Sequence, residues 1–254
     1  MTPDEQLAVD LAEAAGAVLL QTRREQRDLS HSELKALGDR NAQAEIAARL
    51  VADRPDDAVL SEEAADDPTR IGRDRVWIID PLDGTREFAE GRSDWAVHIA
   101  LWERRTPTGG DLTVGAVGIP DEQLVLCSAD GAGLAERAEG QLRIAVSRSR
   151  PPALIAELTD RLAADGIATE LVPMGSAGVK ISAVVRGQVD AYVHAGGQYQ
   201  WDSAAPVCVA RAAGAHTSRI DGSPLVYNQA EVYLPDLVVC RPEYAEAILA
   251  GMRG

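Results

Sequence analysis

The segment Trp77-Ile78-Ile79-Asp80-Pro81-Leu82-Asp83-Gly84-Thr85 constrains this chain more than any other. An apolar run ends in a carboxylate, proline and glycine force a turn, and a second carboxylate follows three residues after the first. The pattern predicts a buried strand over residues 75–79 that delivers Asp80 to its carboxyl end, then a short helix over residues 85–90. Two carboxylates on one tight turn repel each other unless a cation sits between them. Oxygen-only ligation of this kind suits Mg2+, which takes one or two carboxylates, waters and the phosphate oxygens of a substrate. Behind Asp83, the free N–H groups of Gly84 and Thr85 at a helix start are able to hold a phosphate. Asp-Pro and Asp-Gly are also common turn dipeptides, so the segment needs company before it becomes a site.

Charge sets the next constraint. The 254 residues carry 25 Lys and Arg against 40 Asp and Glu, a net charge of −15 at pH 7. Binding nucleic acid by phosphate neutralisation needs many basic contacts, so that class of partner is excluded. A phosphate ester that binds here must find positive charge from another source. Hydrophobic residues at 46% and charged residues at 26% describe a globular chain with a sizeable core, not a disordered or collagen-like one. No apolar run approaches the roughly 18 residues of a membrane span, so no membrane partner is expected. Cys127, Cys208 and Cys240 are odd in number and never in Cys-x-x-Cys spacing, which suggests neither a disulfide framework nor a zinc site. They read as small core residues in a reducing compartment. Thr2-Pro3-Asp4-Glu5 is a capping box and not the basic start of a signal peptide, and the expected location is cytoplasmic.

Helical spacing of Leu7, Leu11, Ala15, Val18 and Leu19 predicts a long first helix from Asp4 to about Arg27. Ile46 and Leu50 predict a second over residues 41–53, ended by Pro55. A short strand over residues 58–60 delivers Ser61, Glu62 and Glu63, and an antiparallel run follows over residues 95–102, 112–119 and 123–128. From residue 142 strands (142–147, 168–172, 190–194) alternate with helices (152–165, 177–186, 203–213) in a βαβ-like series. A late strand at 237–240 and a helix from Pro242 close the chain. These textures divide it into an α+β half over residues 1–140, with the carboxylate motifs, and an α/β half over 141–254, with specificity elements. The boundary falls near 138–142 without a long linker.

Two further segments give the first motif its company. Glu62 and Glu63 close a buried strand, and Trp201-Asp202 opens a predicted helix with Asp202 as its N-cap. At these residues the sequence resembles the inositol monophosphatase superfamily of Mg2+-dependent, lithium-sensitive phosphatases. The resemblance runs over nearly the whole chain. It implies a layered αβαβα sandwich of the sugar phosphatase type, with the site where two halves meet. It implies that Glu62, Asp80, the Leu82 carbonyl, Asp83 and Asp202 ligate two or three Mg2+ ions, with Gly84 and Thr85 touching phosphate. Glu62, Leu82, Asp83 and Asp202 then also border the substrate, a small phosphate ester. The family usually carries a Thr-x-Ala-Asp-like segment before the second helix, whose Asp orients water. Here the stretch is Leu37-Gly38-Asp39-Arg40-Asn41, and Asp39 falls at the matching spacing before Glu62. Asp39, Thr85 and Glu62 are the expected catalytic set. The third motif also departs, with Pro206 where many members have glycine.

Within the superfamily, four strings most resemble the CysQ-like 3'(2'),5'-bisphosphate nucleotidases of actinobacterial type: WIIDPLDGTREF, DWAVHIALW, AGGQYQWDSAAP and DGSPLVYNQ. This implies 3'-phosphoadenosine 5'-phosphate and its sulfate-carrying relative as substrates, in sulfate assimilation. A bisphosphate needs a second anion site, and Ser176 with Lys180 at a glycine-rich helix start is the expected one. His31, His98, His194 and His216 are scattered and read as structural; Arg148 and Arg150 read as a solvated loop. Rival readings are an inositol phosphate or fructose 1,6-bisphosphate phosphatase of the same superfamily, and an acidic metal- or nucleotide-binding module without turnover. A haloacid dehalogenase-type enzyme would need a DxDxT loop, which the spacing of Asp80 and Asp83 does not give. The family suggests a homodimer, but no motif demands one.

Overall fold

Strands that are apolar on both faces must be covered on both, and three such strands organise the first half. The structure, a computed structural model, describes residues 1–107, 109–137, 139–148 and 153–252. In β2 (Arg75–Asp83), Val76 and Ile78 join one core while Trp77 and Ile79 join another. The neighbouring strand β3 (Ala96–Thr106) repeats the alternation, with Ala96 and Ala100 on one side and Val97, Ile99 and Leu101 on the other. With β1 (Ala58–Ser61), β4 (Gly109–Ile119) and β5 (Leu124–Cys127) they form a sheet of order β1-β2-β3-β4-β5. The β1–β2 pair is parallel and the rest antiparallel, as the run of turns predicts.

Helices α1 (Pro3–Glu25) and α2 (His31–Asp53) cover the outer face of this sheet. The Thr2 capping box with proline behind it starts α1 as expected. The start of α2 is a correction: it begins at His31, not at residue 41, because Ser30 and Glu33 form a second capping box. Asp39 therefore sits inside this helix rather than ahead of it.

The second sheet has the order β7-β6-β8-β10-β9, built from β6 (Leu142–Ser147), β7 (Thr169–Met174), β8 (Ala191–Tyr199), β9 (His216–Ser218) and β10 (Tyr233–Cys240). The β6–β7 and β6–β8 pairs are parallel, as a βαβ series requires, whereas β10 runs antiparallel to β8 and β9. The sequence reading had no β9. Helices α5 (Ala177–Val185) and α6 (Gln200–Ala212) lie between the sheets, and α4 (Ala153–Ala164) and α7 (Pro242–Met252) cover the outer face of the second. The start of α6 is a second correction: Tyr199 is its N-cap, and Asp202 lies in its first turn. The layers run αβαβα, and the middle core draws Leu60, Val76 and Val117 from one half and Tyr192, Val207 and Val239 from the other. The expected boundary near residue 138 touches a position outside the described residues. All three cysteines are buried and free.

Candidate active site

The carboxylates arrive at one place because strand ends and helix starts converge there. Glu62 leaves the end of β1 with its N–H donated to the Ile79 carbonyl at 3.2 Å. Asp80, 1% exposed, accepts the Leu82 N–H at 3.0 Å, which closes the turn around Pro81. The β2–β3 register then slips: Asp80 faces His98 but Asp83 faces Ala96, so β2 carries an extra residue. Such a bulge re-aims the side chains that follow it. Asp83 turns toward the start of α5, where its Oδ2 accepts from Ser176 Oγ at 2.5 Å and from the Gly178 N–H at 2.8 Å. Gly84 closes the turn at φ 87°, and a Cβ there would meet Trp95 and Ser176 at 3.2 Å. Thr85, half-buried, is the first residue of α3 (Thr85–Ala89). Asp202 joins from the first turn of α6, where its carboxylate accepts the Tyr199 N–H at 2.6 Å.

One oxygen from each of Asp80, Asp83 and Asp202 lies within 4.8 Å of the others. The Glu62 residue is exposed overall, but its carboxyl end turns inward, within hydrogen-bond reach of Asp80. Burial, then the charges of Glu62, Asp83 and Asp202, push the Asp80 pKa well above the carboxylate range. Burial and Asp83 push Asp202 up to about 8, and burial is also the main cause that raises Glu62. A buried set of acids shifted this way stays ionised only with a cation among them, and all its donors are hard oxygens. The donor set therefore fits a metal, and Mg2+ suits it.

Asp39 reaches the same neighbourhood from α2. Burial, followed by Glu63 and Glu62, raises its pKa to about 7. Gly38 allows the approach, since a Cβ there would lie 2.9 Å from Phe88, 3.2 Å from Leu82 and 3.3 Å from Leu19. Gly38 thus seats the helix against the turn over residues 80–84 and Phe88. The Leu82 side chain is 1% exposed and packs in the outer core.

A cleft of about 260 Å³ opens beside the carboxylates, with Asp83, Asp202, Lys180, Tyr192, His194 and Gln198 in its wall. Lys180 is 4% exposed, donates from Nζ to the Gly175 carbonyl at 3.2 Å and lies 5.0 Å from the centre of the Tyr192 ring. Burial lowers its pKa, and Asp83, Glu87 and Asp94 oppose that shift. Ser176, at φ 48°, already donates to Asp83 and accepts the Val179 N–H at 3.0 Å, so its hydroxyl is engaged within the protein.

The fold brings two of the residues that read as structural beside the carboxylates. His98 is fully buried inside the site, with Nε2 3.4 Å from Asp83 Oδ2 and Nδ1 3.3 Å from the Trp201 carbonyl. The signal that could have found it is a polar residue at an inward position of β3, between Ala96 and Ala100. His194 lines the cleft, its Nδ1 3.1 Å from the Tyr192 hydroxyl. Arg148 lies on an exposed bend, as read, and there pairs with Asp94 at 2.5 Å and with Glu87 at 3.6 Å. Arg150 lies outside the described residues.

The inositol monophosphatase family model matches residues 1–253. A 3'-phosphoadenosine 5'-phosphate phosphatase of Mycobacterium leprae is 50% identical, over 98% of this chain and 93% of that protein. The 3'(2'),5'-bisphosphate nucleotidase CysQ of Escherichia coli K12 is 35% identical, over 71% of this chain and 74% of that one. Among solved structures, CysQ from Bacteroides thetaiotaomicron superposes with a TM-score of 0.82 at 25% identity, over 94% of this chain and 97% of that one. Fold, carboxylate cluster and sequence agree, and the chain belongs to the inositol monophosphatase family.

Proposed function

We propose that the protein is a Mg2+-dependent phosphomonoesterase that removes the 3'-phosphate of 3'-phosphoadenosine 5'-phosphate and of its sulfate-carrying relative. The observation that carries this reading is the cluster of Asp80, Asp83 and Asp202, of which Asp83 and Asp202 line a cleft together with Lys180. The half-identical mycobacterial relative, named for that substrate, supports the nucleotide. Glu62, Asp80, the Leu82 carbonyl, Asp83 and Asp202 would hold two or three ions. When bound, such ions activate water, polarise the phosphoryl group and stabilise the leaving oxygen. The remaining steps belong to the chain. The N–H groups of Gly84 and Thr85 at the start of α3 orient the 3'-phosphate. In this reading Asp39 accepts the Thr85 hydroxyl proton as Thr85 Oγ takes the proton of the attacking water, so that the proton ends on Asp39, with Glu62 beside it. Lys180 faces the 5'-phosphate; Ser176 supports it indirectly, by fixing Asp83 and the start of α5. A role in sulfate assimilation, a cytoplasmic setting and a homodimer belong to the same reading.

The test is phosphate release, with Mg2+, from adenosine 3',5'-bisphosphate, inositol 1-phosphate and fructose 1,6-bisphosphate at equal concentration. Adenosine bisphosphate is expected to lead by at least about tenfold in kcat/KM, which is about 1.4 kcal/mol. Preference for either sugar phosphate overturns the substrate, and binding of metal and nucleotide with no release overturns the enzyme.

A further inference from the structure

The string Asp221–Gln229 stood out in the sequence, yet the chemistry above gives it no part. In the structure its last residues are held from two sides. Tyr227 and Asn228 are buried, and Asn228 adopts φ 55°. From the first half comes Arg70, a guanidinium only 1% exposed. Its Nη1 donates to Asn228 Oδ1 at 2.7 Å and its Nη2 to the Gln229 carbonyl at 3.0 Å. The same side chain grips Asp66, with Nε to Oδ1 at 2.6 Å and Nη2 to Oδ2 at 3.0 Å. Asp66 lies on the loop that leaves Glu62.

From the second half comes the start of α6. Gln200 Nε2 donates to the carbonyls of Gln229 at 3.3 Å and Glu231 at 2.9 Å, and its Oε1 accepts the Gln229 N–H at 3.3 Å. The Ser203 and Tyr227 hydroxyls lie 3.1 Å apart in the core. Gln200 and Ser203 bracket Asp202.

We propose that Arg70 is a positioning residue for the metal site, setting Glu62 of the first half against Asp202 of the second through the 227–231 segment. This rests on the metal-binding part of the reading above and is independent of the substrate. Arginine suits the place for a physical reason. Its planar fork meets the Asp66 carboxylate with two parallel N–H groups while the remaining donors reach the other segment, which a point-charge lysine does not reproduce. A buried guanidinium is tolerated only when fully paired, so Asp66, Asn228 and Gln229 are confined to one arrangement. A mere staple would hold the 227–231 segment without affecting the ligands, and the two roles separate in the metal affinity of folded protein.

The experiment is a titration of Mn2+, a spectroscopic stand-in for Mg2+, followed by electron paramagnetic resonance. It uses the wild type, Arg70→Lys, Gln200→Met and the double variant, each checked for fold by circular dichroism. Each single variant is expected to weaken Mn2+ binding by about fivefold or more, with the double variant within about twofold of the worse single, because both cut one chain of contacts. Affinities within about twofold of wild type in the folded single variants overturn the proposal, whatever the melting temperatures, and so do losses that multiply in the double variant. If Arg70→Lys does not fold, Asn228→Gly takes its place, since it cuts the Arg70 bond to the 227–231 segment and tolerates the φ of 55°. Failure to hydrolyse adenosine bisphosphate would overturn the substrate assignment and leave this measurement standing.

Discussion

A threonine hydroxyl is a poor base unless a carboxylate holds it, and Asp39 is the carboxylate that the α2 helix brings toward Glu62 and Glu63. If Thr85 and Asp39 act as a pair, Thr85→Ala and Asp39→Asn each lower kcat on the order of a hundredfold with little change in KM. The double variant then loses scarcely more than the worse single one; additive losses would mean independent roles, and a silent Asp39→Asn would pass the orienting role to Glu63. Lys180 bears on specificity. Its stem is buried, and its Nζ donates to the Gly175 carbonyl and lies over the Tyr192 ring, so Lys180→Met keeps the packing and removes the charge. The KM for adenosine bisphosphate is expected to rise about tenfold, about 1.4 kcal/mol, while that for inositol 1-phosphate stays nearly level. Equal losses on both substrates would make Lys180 structural. The acidic residues were legible in the sequence because paired carboxylates at strand ends leave a local signature. His98 was not, because its partners come from the β2 bulge and the start of α6 and are brought to it only by the fold.

At the scale of elements, helix starts were the places where sequence and structure parted. The apolar spacing located the body of α2 through Ile46 and Leu50, but the Ser30–Glu33 capping box that starts it lies among polar residues with no apolar stripe. For α6, Trp201-Asp202 read as the cap, whereas Tyr199 takes that position and leaves Asp202 in the first turn, aimed at Asp80 and Asp83. Strand boundaries in the first sheet were plainer because alternation persists along β3 and β4 and the turns between them carry glycine or proline. The start of α5 shows how closely the elements approach. A Cβ on Gly178 would lie 1.9 Å from His98 Nε2, while the Gly178 N–H itself serves Asp83. Gly178→Ala must therefore push α5 away from the bulge or drive His98 off its rotamer. It is expected to destabilise the fold by about 1–3 kcal/mol, as overpacking does, and to lower Mg2+ affinity with it. An unchanged Mg2+ dependence in a variant with a lowered melting temperature would show that the α5 contact does not govern Asp83.

For the molecule as a whole, the net charge of −15 and the buried acids pose one problem at two scales. Folding places Asp80, Asp202 and Asp39 where their protonated forms are favoured, with Asp202 at about 8 and Asp39 at about 7 against 3.8 in the unfolded chain. A raised folded-state pKa means that the native state holds protons the unfolded chain has released, so the contribution is complete below about pH 4 and is lost as pH rises through the folded value. The buried histidines act in the opposite sense. Burial lowers His98 and His194 below 6.5, so their contribution favours the native state with rising pH only up to that value. Between pH 6.5 and 8 the raised carboxylates therefore govern the slope. Metal-free protein is expected to lose melting temperature steadily across that window. Added Mg2+ binds the ionised carboxylates and displaces their protons, so its stabilisation must grow with pH and flatten the loss. Asp202→Asn removes one raised group and should reduce both the metal-free slope and the Mg2+ effect. The measurement is differential scanning fluorimetry at pH 6.5, 7, 7.5 and 8, with and without Mg2+. Parallel curves, with the same Mg2+ increment at every pH, would mean that these carboxylates are not the groups the metal meets.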